Sequence, residues 1–426
     1  MQYHITAPAQ FRQTIKLPAS KSISNRALMI HALSGGQLLP DDDACHTTAC
    51  SLENLSDCDD TKVIVQALRH RPPTIDIKAA GTAMRFMTAY LAVQDGAEHV
   101  ITGTERMKHR PIGTLVDALR QLGADITYVG EEGFPPLRIR GQRLQGGPLE
   151  VPGNISSQYI SALLLIGPAL QQGLTLRLTG DIISRPYIEL TLWMMREFGA
   201  SAEWSNFETI TVSPQPYTCR PYYIESDWSA ASYWYEIMAL SGNADDELRL
   251  EGLMDGSKQG DSSVRYLFSL LGVKTVFDTT TAGVPTTVTL RHSGRCVPRL
   301  EYDFTGSPDL AQTFVVCCSL MGVPFHFRGL STLKIKETDR IQALKNEMRK
   351  LGYVLHDAND SELVWNGERC EPSYESGIDT YEDHRMALAF APAALRIPGL
   401  CINNPQVVTK SYPRFWDDLI HCGFKI

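Results

Sequence analysis

Six times along this chain an apolar, strand-like stretch breaks at glycine or asparagine, a lysine or arginine follows within about five to eight positions, and a helical pattern begins. The six stretches run from Asn54 to Lys62, Gly103 to Arg110, Gly180 to Arg185, Gly252 to Lys258, Gly329 to Lys336 and Asn404 to Lys410. Five of the helical runs close on an apolar residue or cysteine followed by glycine, at Gly123, Gly199, Gly272, Gly352 and Gly423, roughly 71 to 80 residues apart. The first run lacks that glycine. A period of this length commits the chain to repeated units of strand, loop, helix and strand. A helix N-terminus presents unpaired N–H groups and the positive end of its dipole, so a cation recurring there predicts an anion site. Several such sites together suit a substrate with more than one anionic group.

Three units precede residue 225 and three follow it, so the natural cut lies near Glu225-Ser226-Asp227, and two similar halves are expected. With αβ units in each half the architecture is α/β, the anion-binding helix ends facing each other across the gap between domains. Alternation in Leu174-Thr175-Leu176-Arg177-Leu178 and Leu248-Arg249-Leu250 reads as strand. Leu115, Leu119 and Leu122, and likewise Leu190, Met194 and Phe198, form helix faces destined for the core. Pro111, Pro186 and Pro308 stand where helices are expected to start, and Ser307 is the expected N-cap of the helix carrying Asp309.

Composition narrows the partners. With 426 residues, 43% hydrophobic and 21% charged, the chain has material for two or three ordinary globular domains. A net charge of −8 argues against a general nucleic-acid or membrane surface, so anion binding must be local. Met1 to Gln10 has no basic start leading into an apolar run, and the longest apolar run, Ala162 to Leu170, is interrupted by Gly167 and Pro168; a cytoplasmic protein without a targeting segment is expected. The ten cysteines are scattered and are expected to be reduced packing residues; Cys45, His46, Cys50 and Cys58 cluster without a zinc spacing.

Four motifs carry the candidate chemistry. Pro18-Ala19-Ser20-Lys21-Ser22-Ile23-Ser24-Asn25-Arg26 packs two cations and three hydroxyls into a helix start, with Ser22 and Arg26 four apart on one face. In Gly81-Thr82-Ala83-Met84-Arg85 the glycine permits close backbone approach, with Arg85 one turn from the helix start. Lys334-Ile335-Lys336-Glu337-Thr338-Asp339-Arg340, if helical, puts Lys336 and Arg340 on one face, with Glu337 among cations that keep it ionised. Asp383-His384-Arg385-Met386 adds another basic helix approach. The ordinary alternatives are solvated charges, surface salt bridges and, for Asp309, an acid that merely complements a helix dipole. No nucleotide phosphate loop, Gly-x-Gly-x-x-Gly, Gly-x-Ser-x-Gly or His-Glu-x-x-His occurs, so neither a cofactor nor a metal is expected.

Taken in order, these motifs with Arg110-Pro111-Ile112-Gly113, Ser156-Ser157-Gln158 and Lys410 resemble the 5-enolpyruvylshikimate-3-phosphate (EPSP) synthase family over nearly the full chain. The resemblance implies two domains of three αβ repeats each, residues 1–18 with 227–426 and residues 19–226, closing on 3-phosphoshikimate and phosphoenolpyruvate. The implied reaction is enolpyruvyl transfer in chorismate and aromatic amino acid biosynthesis, by a monomer. Asp309 matches the base for the 5-hydroxyl, Glu337 the proton donor and acceptor at C3, and Lys21 a residue touching both substrates. Ser22, Arg26, Ser156, Ser157, Ser184, Tyr187, Asp309, Thr332 and Lys336 fall at 3-phosphoshikimate positions. Gly81, Arg110, Arg340, Arg385 and Lys410 fall at phosphoenolpyruvate positions, Gln158 serves both, and Arg85 is a support.

The chain departs from the family pattern at Ala79, Phe86 and Thr332. The stretch before Gly81 is short, as if missing a strand pair, while residues 38–55 are long and acidic, so an altered first repeat is expected. Two alternatives stand beside the main reading. One is the sister enolpyruvyl transferase acting on UDP-N-acetylglucosamine, which usually carries a Lys-Asn pair where this chain has Lys21-Ser22. The other is a catalytically silent small-anion binder, disfavoured because both Asp309 and Glu337 are present.

Overall fold

A computed structural model describes residues 1–36, 51–279, 281 and 283–426, so Cys45, His46, Cys50 and most of the acidic 38–55 stretch lie outside the described residues. One sheet plan recurs four times. Thr74–Asp76 pairs in parallel with Glu98–Thr102, which pairs antiparallel with Leu137–Arg140, and Asp125–Tyr128 closes the edge. The same order appears in Gly147–Pro152, Leu174–Thr179, Thr209–Val212 and Ala202–Trp204. It appears again in Arg12–Lys16, Glu247–Met254, Pro285–His292 and Val273–Phe277, and in Leu300–Asp303, Phe325–Arg328, Glu362–Trp365 and His356–Ala358.

A parallel pair needs a crossover, and each plan supplies a helix for it. These crossover helices are the most deeply buried: Tyr159 through Ile166 of Ser157–Ile166 are all buried, as are Trp228 and Ala230 through Leu240 of Trp228–Leu240. Lys21–Leu33, Gly81–Ala92, Ala311–Met321 and His384–Phe390 are their counterparts in the other units. A second helix in each unit is amphipathic, as in Gly113–Gln121, which buries only Leu115, Val116, Ala118 and Leu119.

The five repeating glycines end those second helices. Gly123, Gly199, Gly272, Gly352 and Gly423 have φ of +101°, +83°, +88°, +88° and +98°. At the first, the Gly123 N–H donates to the Arg120 carbonyl and the Ala124 N–H to that of Leu119, the paired bonds that terminate a helix through a left-handed residue. In the first unit the helix Asp59–His70 ends instead on Arg71, itself left-handed at φ +43°, ψ +51°.

The chain forms two compact units, Met1–Pro18 with Glu225–Ile426, and Ala19–Ile224, each with its own apolar core. The second is inserted into a repeat of the first, between the strand Arg12–Lys16 and the helix Trp228–Leu240. The last repeat borrows the N-terminus: Gln2–Ile5 pairs antiparallel with Leu400–Asn403, with single bridges from Thr6 to Lys425 and from Ile378 to Ile402. The first repeat contributes a two-stranded parallel sheet, Leu52–Glu53 with Tyr222–Tyr223.

Four local expectations need correction. Lys336 to Asp339 are not helical: Asp339 accepts the Gln342 N–H and caps a helix that begins at Arg340. Ser307 precedes the short 3-10 turn Pro308–Leu310, but its side chain makes no cap bond. Pro111 lies outside its helix, whose N-cap is Ile112. The free thiols Cys317 and Cys318 are buried as packing residues, whereas Cys219 is disulfide-bonded and departs from the expectation of reduced cysteines.

Candidate active site

In the unit Ala19–Ile224 the site candidates gather at the starts of the three crossover helices. Lys21 opens the first, its Nζ 3.3 Å from Asp60 Oδ2. One turn on, Arg26 is buried and donates to the Ser22 carbonyl (2.9 Å), Thr191 Oγ1 (2.7 Å), Ser161 Oγ and the Tyr187 carbonyl (both 3.2 Å). Burial pulls the guanidinium pKa down to about 10, with Tyr187 opposing. These four acceptors are all neutral, so the fold holds a cation whose desolvation no carboxylate among them offsets. Such a charge favours an incoming anion.

Gly81 is the first residue of the second crossover helix. A Cβ added there would lie 2.6 Å from Arg110 Nη1, so the missing side chain is what lets the guanidinium rest against the helix start. Arg85 donates to the Gly81 carbonyl (3.1 Å) and the Pro111 carbonyl (3.0 Å), tying that helix start to the Arg110-Pro111 turn. At the third helix Ser156 is the N-cap, accepting the Gln158 N–H, and Ser157 is the first residue. The Gln158 amide donates to Thr82 Oγ1 at 3.1 Å, so the second and third helix starts are joined. Ser184 stands left-handed (φ +53°, ψ +34°) before Arg185–Glu197, and Tyr187 contributes the carbonyl that Arg26 and Thr191 share. A non-glycine residue held there is strained backbone of the kind concentrated at functional sites.

In the other unit the candidates form one charge network. Asp309 receives Arg340 Nη1 at 2.9 Å and Lys336 Nζ at 3.6 Å on Oδ1, and Arg385 Nη2 at 3.0 Å on Oδ2. Burial alone would raise its pKa, but Arg385, Lys336 and Arg340 together hold the carboxyl well below its usual range. Glu337 lies between Arg340 Nη2 (2.9 Å) and Lys410 Nζ (2.8 Å). Arg340 also meets Asp383, and Arg385 reaches the Tyr233 hydroxyl at 3.3 Å. Four cations against the three carboxylates Asp309, Glu337 and Asp383 leave a net charge of +1. Thr332 sits in the 3-10 turn Ser331–Ile335, its buried hydroxyl without a partner among the described residues.

This arrangement can switch a base on. Asp309 is a poor proton acceptor while three cations hold it, and an anionic ligand drawing those cations away returns its basicity. Glu337, bracketed by Arg340 and Lys410, is a carboxylate able to take or give a proton.

Residues 5–419 match the family model for EPSP synthase (3-phosphoshikimate 1-carboxyvinyltransferase). The chain belongs to the EPSP synthase family. A 3-phosphoshikimate 1-carboxyvinyltransferase from Bacteroides fragilis is 59% identical over 426 residues, covering 100% of this chain and 99% of that protein. One from Photobacterium profundum is 34% identical over 435 residues, covering 96% of each. A solved EPSP synthase from Acinetobacter baumannii matches with TM-score 0.77 at 20% identity, covering 100% of this chain and 99% of that one. The enolpyruvyl transferase NikO from Streptomyces tendae follows at TM-score 0.67 and 16% identity, covering 100% and 97%. These structural matches establish the two-domain α/β fold, and the family match supports the main sequence reading over the sugar-nucleotide alternative.

In the sequence Asp383 stands out only as part of a basic motif, yet it is the fully buried carboxylate on Arg340. The signal for it is its place immediately before a helix that starts His-Arg, where a capping acid is favoured. Tyr233 and Thr191 carry no such signal. Both lie inside apolar helical runs, where a hydroxyl facing a buried arginine leaves no trace in the pattern.

Proposed function

We propose that this EPSP synthase family member transfers the enolpyruvyl group of phosphoenolpyruvate to the 5-hydroxyl of 3-phosphoshikimate, serving chorismate and aromatic amino acid biosynthesis. The 5-hydroxyl oxygen adds to C2 of phosphoenolpyruvate, Asp309 takes the hydroxyl proton, and C3 gains a proton from Glu337. Phosphate then leaves C2, Glu337 recovers a C3 proton, and the enol ether remains. Lys21, Ser22, Arg26, Ser156, Ser157, Gln158, Ser184, Tyr187, Thr332 and Lys336 hold 3-phosphoshikimate. Gly81, Arg110, Arg340, Arg385 and Lys410, with Lys21 and Gln158, hold phosphoenolpyruvate.

The observation that carries this reading is the Asp309–Arg340–Glu337–Lys410 chain of contacts: two carboxylates suited to proton transfer, each on cations suited to polyanionic substrates. Arg26 and Arg110 of the other unit, which have no ion pair among the described residues, support it. Bringing two polyanions together is opposed by their repulsion, which fixed cations reverse. Among the described residues no helix is long and apolar enough to cross a membrane, and we read the protein as a cytoplasmic monomer.

The test is phosphate release from phosphoenolpyruvate with 3-phosphoshikimate, UDP-N-acetylglucosamine or no acceptor, without added metal. Release with 3-phosphoshikimate alone is expected. Release with the sugar nucleotide alone assigns the sister reaction, and binding of both substrates without release assigns the silent binder.

A further inference from the structure

Within the unit Ala19–Ile224, a cavity of about 190 Å³ opens at the C-terminal ends of Asp59–His70 and Gly81–Ala92. Its walls mix polar side chains with apolar ones, among them Ile75, Met87 and Leu91. Tyr90 and Arg71 line it too. Tyr90 is only 3% exposed. Arg71 has no ion pair among the described residues, whereas the cavity's one carboxylate, Asp95, is engaged by Arg143 at 3.1 Å.

Arg71 stands at a distinctive point of the repeat. The other five amphipathic helices end at this point of the repeat on a left-handed glycine. Here the left-handed residue is arginine, a backbone state that a side chain disfavours, and the side chain so placed lines the cavity. His99 Nδ1 bonds the Pro72 carbonyl at 2.8 Å, so as the neutral ring it donates through Nδ1 and leaves Nε2 as an acceptor.

We propose that this cavity binds a small carboxylic acid with an apolar body, the carboxylate on Arg71 and the Tyr90 hydroxyl and the body against Ile75, Met87 and Leu91. The volume suits a body of one ring. Both helices that enclose it begin at the proposed active site: Asp60, on Lys21, is in the first turn of one, and Gly81, against Arg110, is the first residue of the other. If the active site is as proposed, occupancy shifts the apparent phosphoenolpyruvate KM through these two helices.

Benzoate is the probe, titrated by calorimetry and ligand-observed NMR into the full chain, with benzylamine as the cationic counterpart. Saturable benzoate binding with Kd of about 1–10 mM is expected from ligand-efficiency limits for so small a molecule. Arg71→Gly installs the glycine of the other repeats, so it should leave the melting temperature equal or higher while weakening benzoate at least about tenfold. Tyr90→Phe should weaken it by a smaller factor. Benzylamine binding with benzoate silent, or benzoate binding unchanged in Arg71→Gly, overturns the site. A saturable site without any shift in KM removes the coupling alone, and an enzyme inactive towards 3-phosphoshikimate bears on the active-site reading, not on the cavity.

Discussion

Arg340 lies side-on to Asp383, Nε 2.6 Å from Oδ2 and Nη2 3.2 Å from Oδ1, with the two side chains 2% and 0% exposed. The same carboxylate accepts the Arg385 N–H at 2.9 Å, so one buried acid fixes both arginines that hold Asp309. Asp383→Ala leaves the Arg340 charge short of its closest partner and should cost about 3–5 kcal/mol of stability, read by urea denaturation. Asp383→Asn keeps hydrogen-bonding capacity and should cost less, while both variants raise the phosphoenolpyruvate KM. Equal stability of Asp383→Ala and the parent chain would mean that Arg340 is held by Asp309 and Glu337 alone.

Asp309→Ala should reduce kcat by about 10²–10⁴-fold, the range for losing a positioned base, with 3-phosphoshikimate still bound. Glu337→Gln should match it in kcat and also slow exchange of the C3 protons of phosphoenolpyruvate with solvent deuterium. Exchange at the parental rate in Glu337→Gln would take the C3 role away from that residue.

Because a methyl at residue 81 would sit 2.6 Å from Arg110 Nη1, Gly81→Ala must displace the guanidinium. The expected result is a phosphoenolpyruvate KM raised about tenfold or more, the scale of one weakened charge-assisted contact, with the 3-phosphoshikimate KM little changed. Equal rises for both substrates would point to a distorted helix start instead.

The Arg26 charge is buried among neutral groups, and Ser161 and Thr191 already bond each other at 2.8 Å. Removing the guanidinium therefore strands neither hydroxyl. Arg26→Met should leave the melting temperature equal or higher while raising the 3-phosphoshikimate KM at least about tenfold, the exchange of stability for function expected at a binding site. Paired melting and kinetic measurements decide it.

Burial raises the Glu225 carboxyl to about 7, against donors Ser257 and Gln259 that favour its ionised form. The folded chain therefore holds a proton there that the unfolded chain has lost above its ordinary value of 4.5. The stabilisation is full below that value and disappears as pH rises through about 7. Denaturation between pH 5 and 8 should show roughly 2–3 kcal/mol of stability lost at this residue, and Glu225→Gln should flatten the dependence. A parental slope in the variant would move the effect elsewhere, with Asp261, raised to about 6 by burial, the next residue to test.

The amphipathic half of the fold was legible because its helices carry both an apolar stripe and a terminal glycine, as Leu115, Leu119 and Gly123 do. The crossover helices were harder: Tyr159 to Ile166 is buried on every side and has no polar face to give it a period. In the site, charged residues beside a glycine or proline stood out. The pairing between them did not, since Arg340 meets Asp383 and Asp309 across separations of 43 and 31 residues that a linear pattern cannot encode. The Lys336–Arg340 stretch misled for a local reason: Asp339 competes for the helix start and wins, so the two cations reach Asp309 from a loop and from a first turn.

The insertion of Ala19–Ile224 sets an order of events during synthesis. The strand Arg12–Lys16 emerges early, yet its partner begins at Glu247, and the neighbouring Phe11 N–H to Asp246 bond spans 235 residues. At ribosomal rates that strand waits roughly 10 to 50 seconds with an unpaired edge. The inserted unit is continuous in sequence and can close its core meanwhile, whereas the unit that surrounds it must wait for Leu400–Asn403 to meet Gln2–Ile5 before its last sheet exists. A chain stalled between residues 340 and 400 therefore carries ten of the fifteen proposed substrate-holding residues on a unit whose sequence is complete, and the base and acid on an unfinished one.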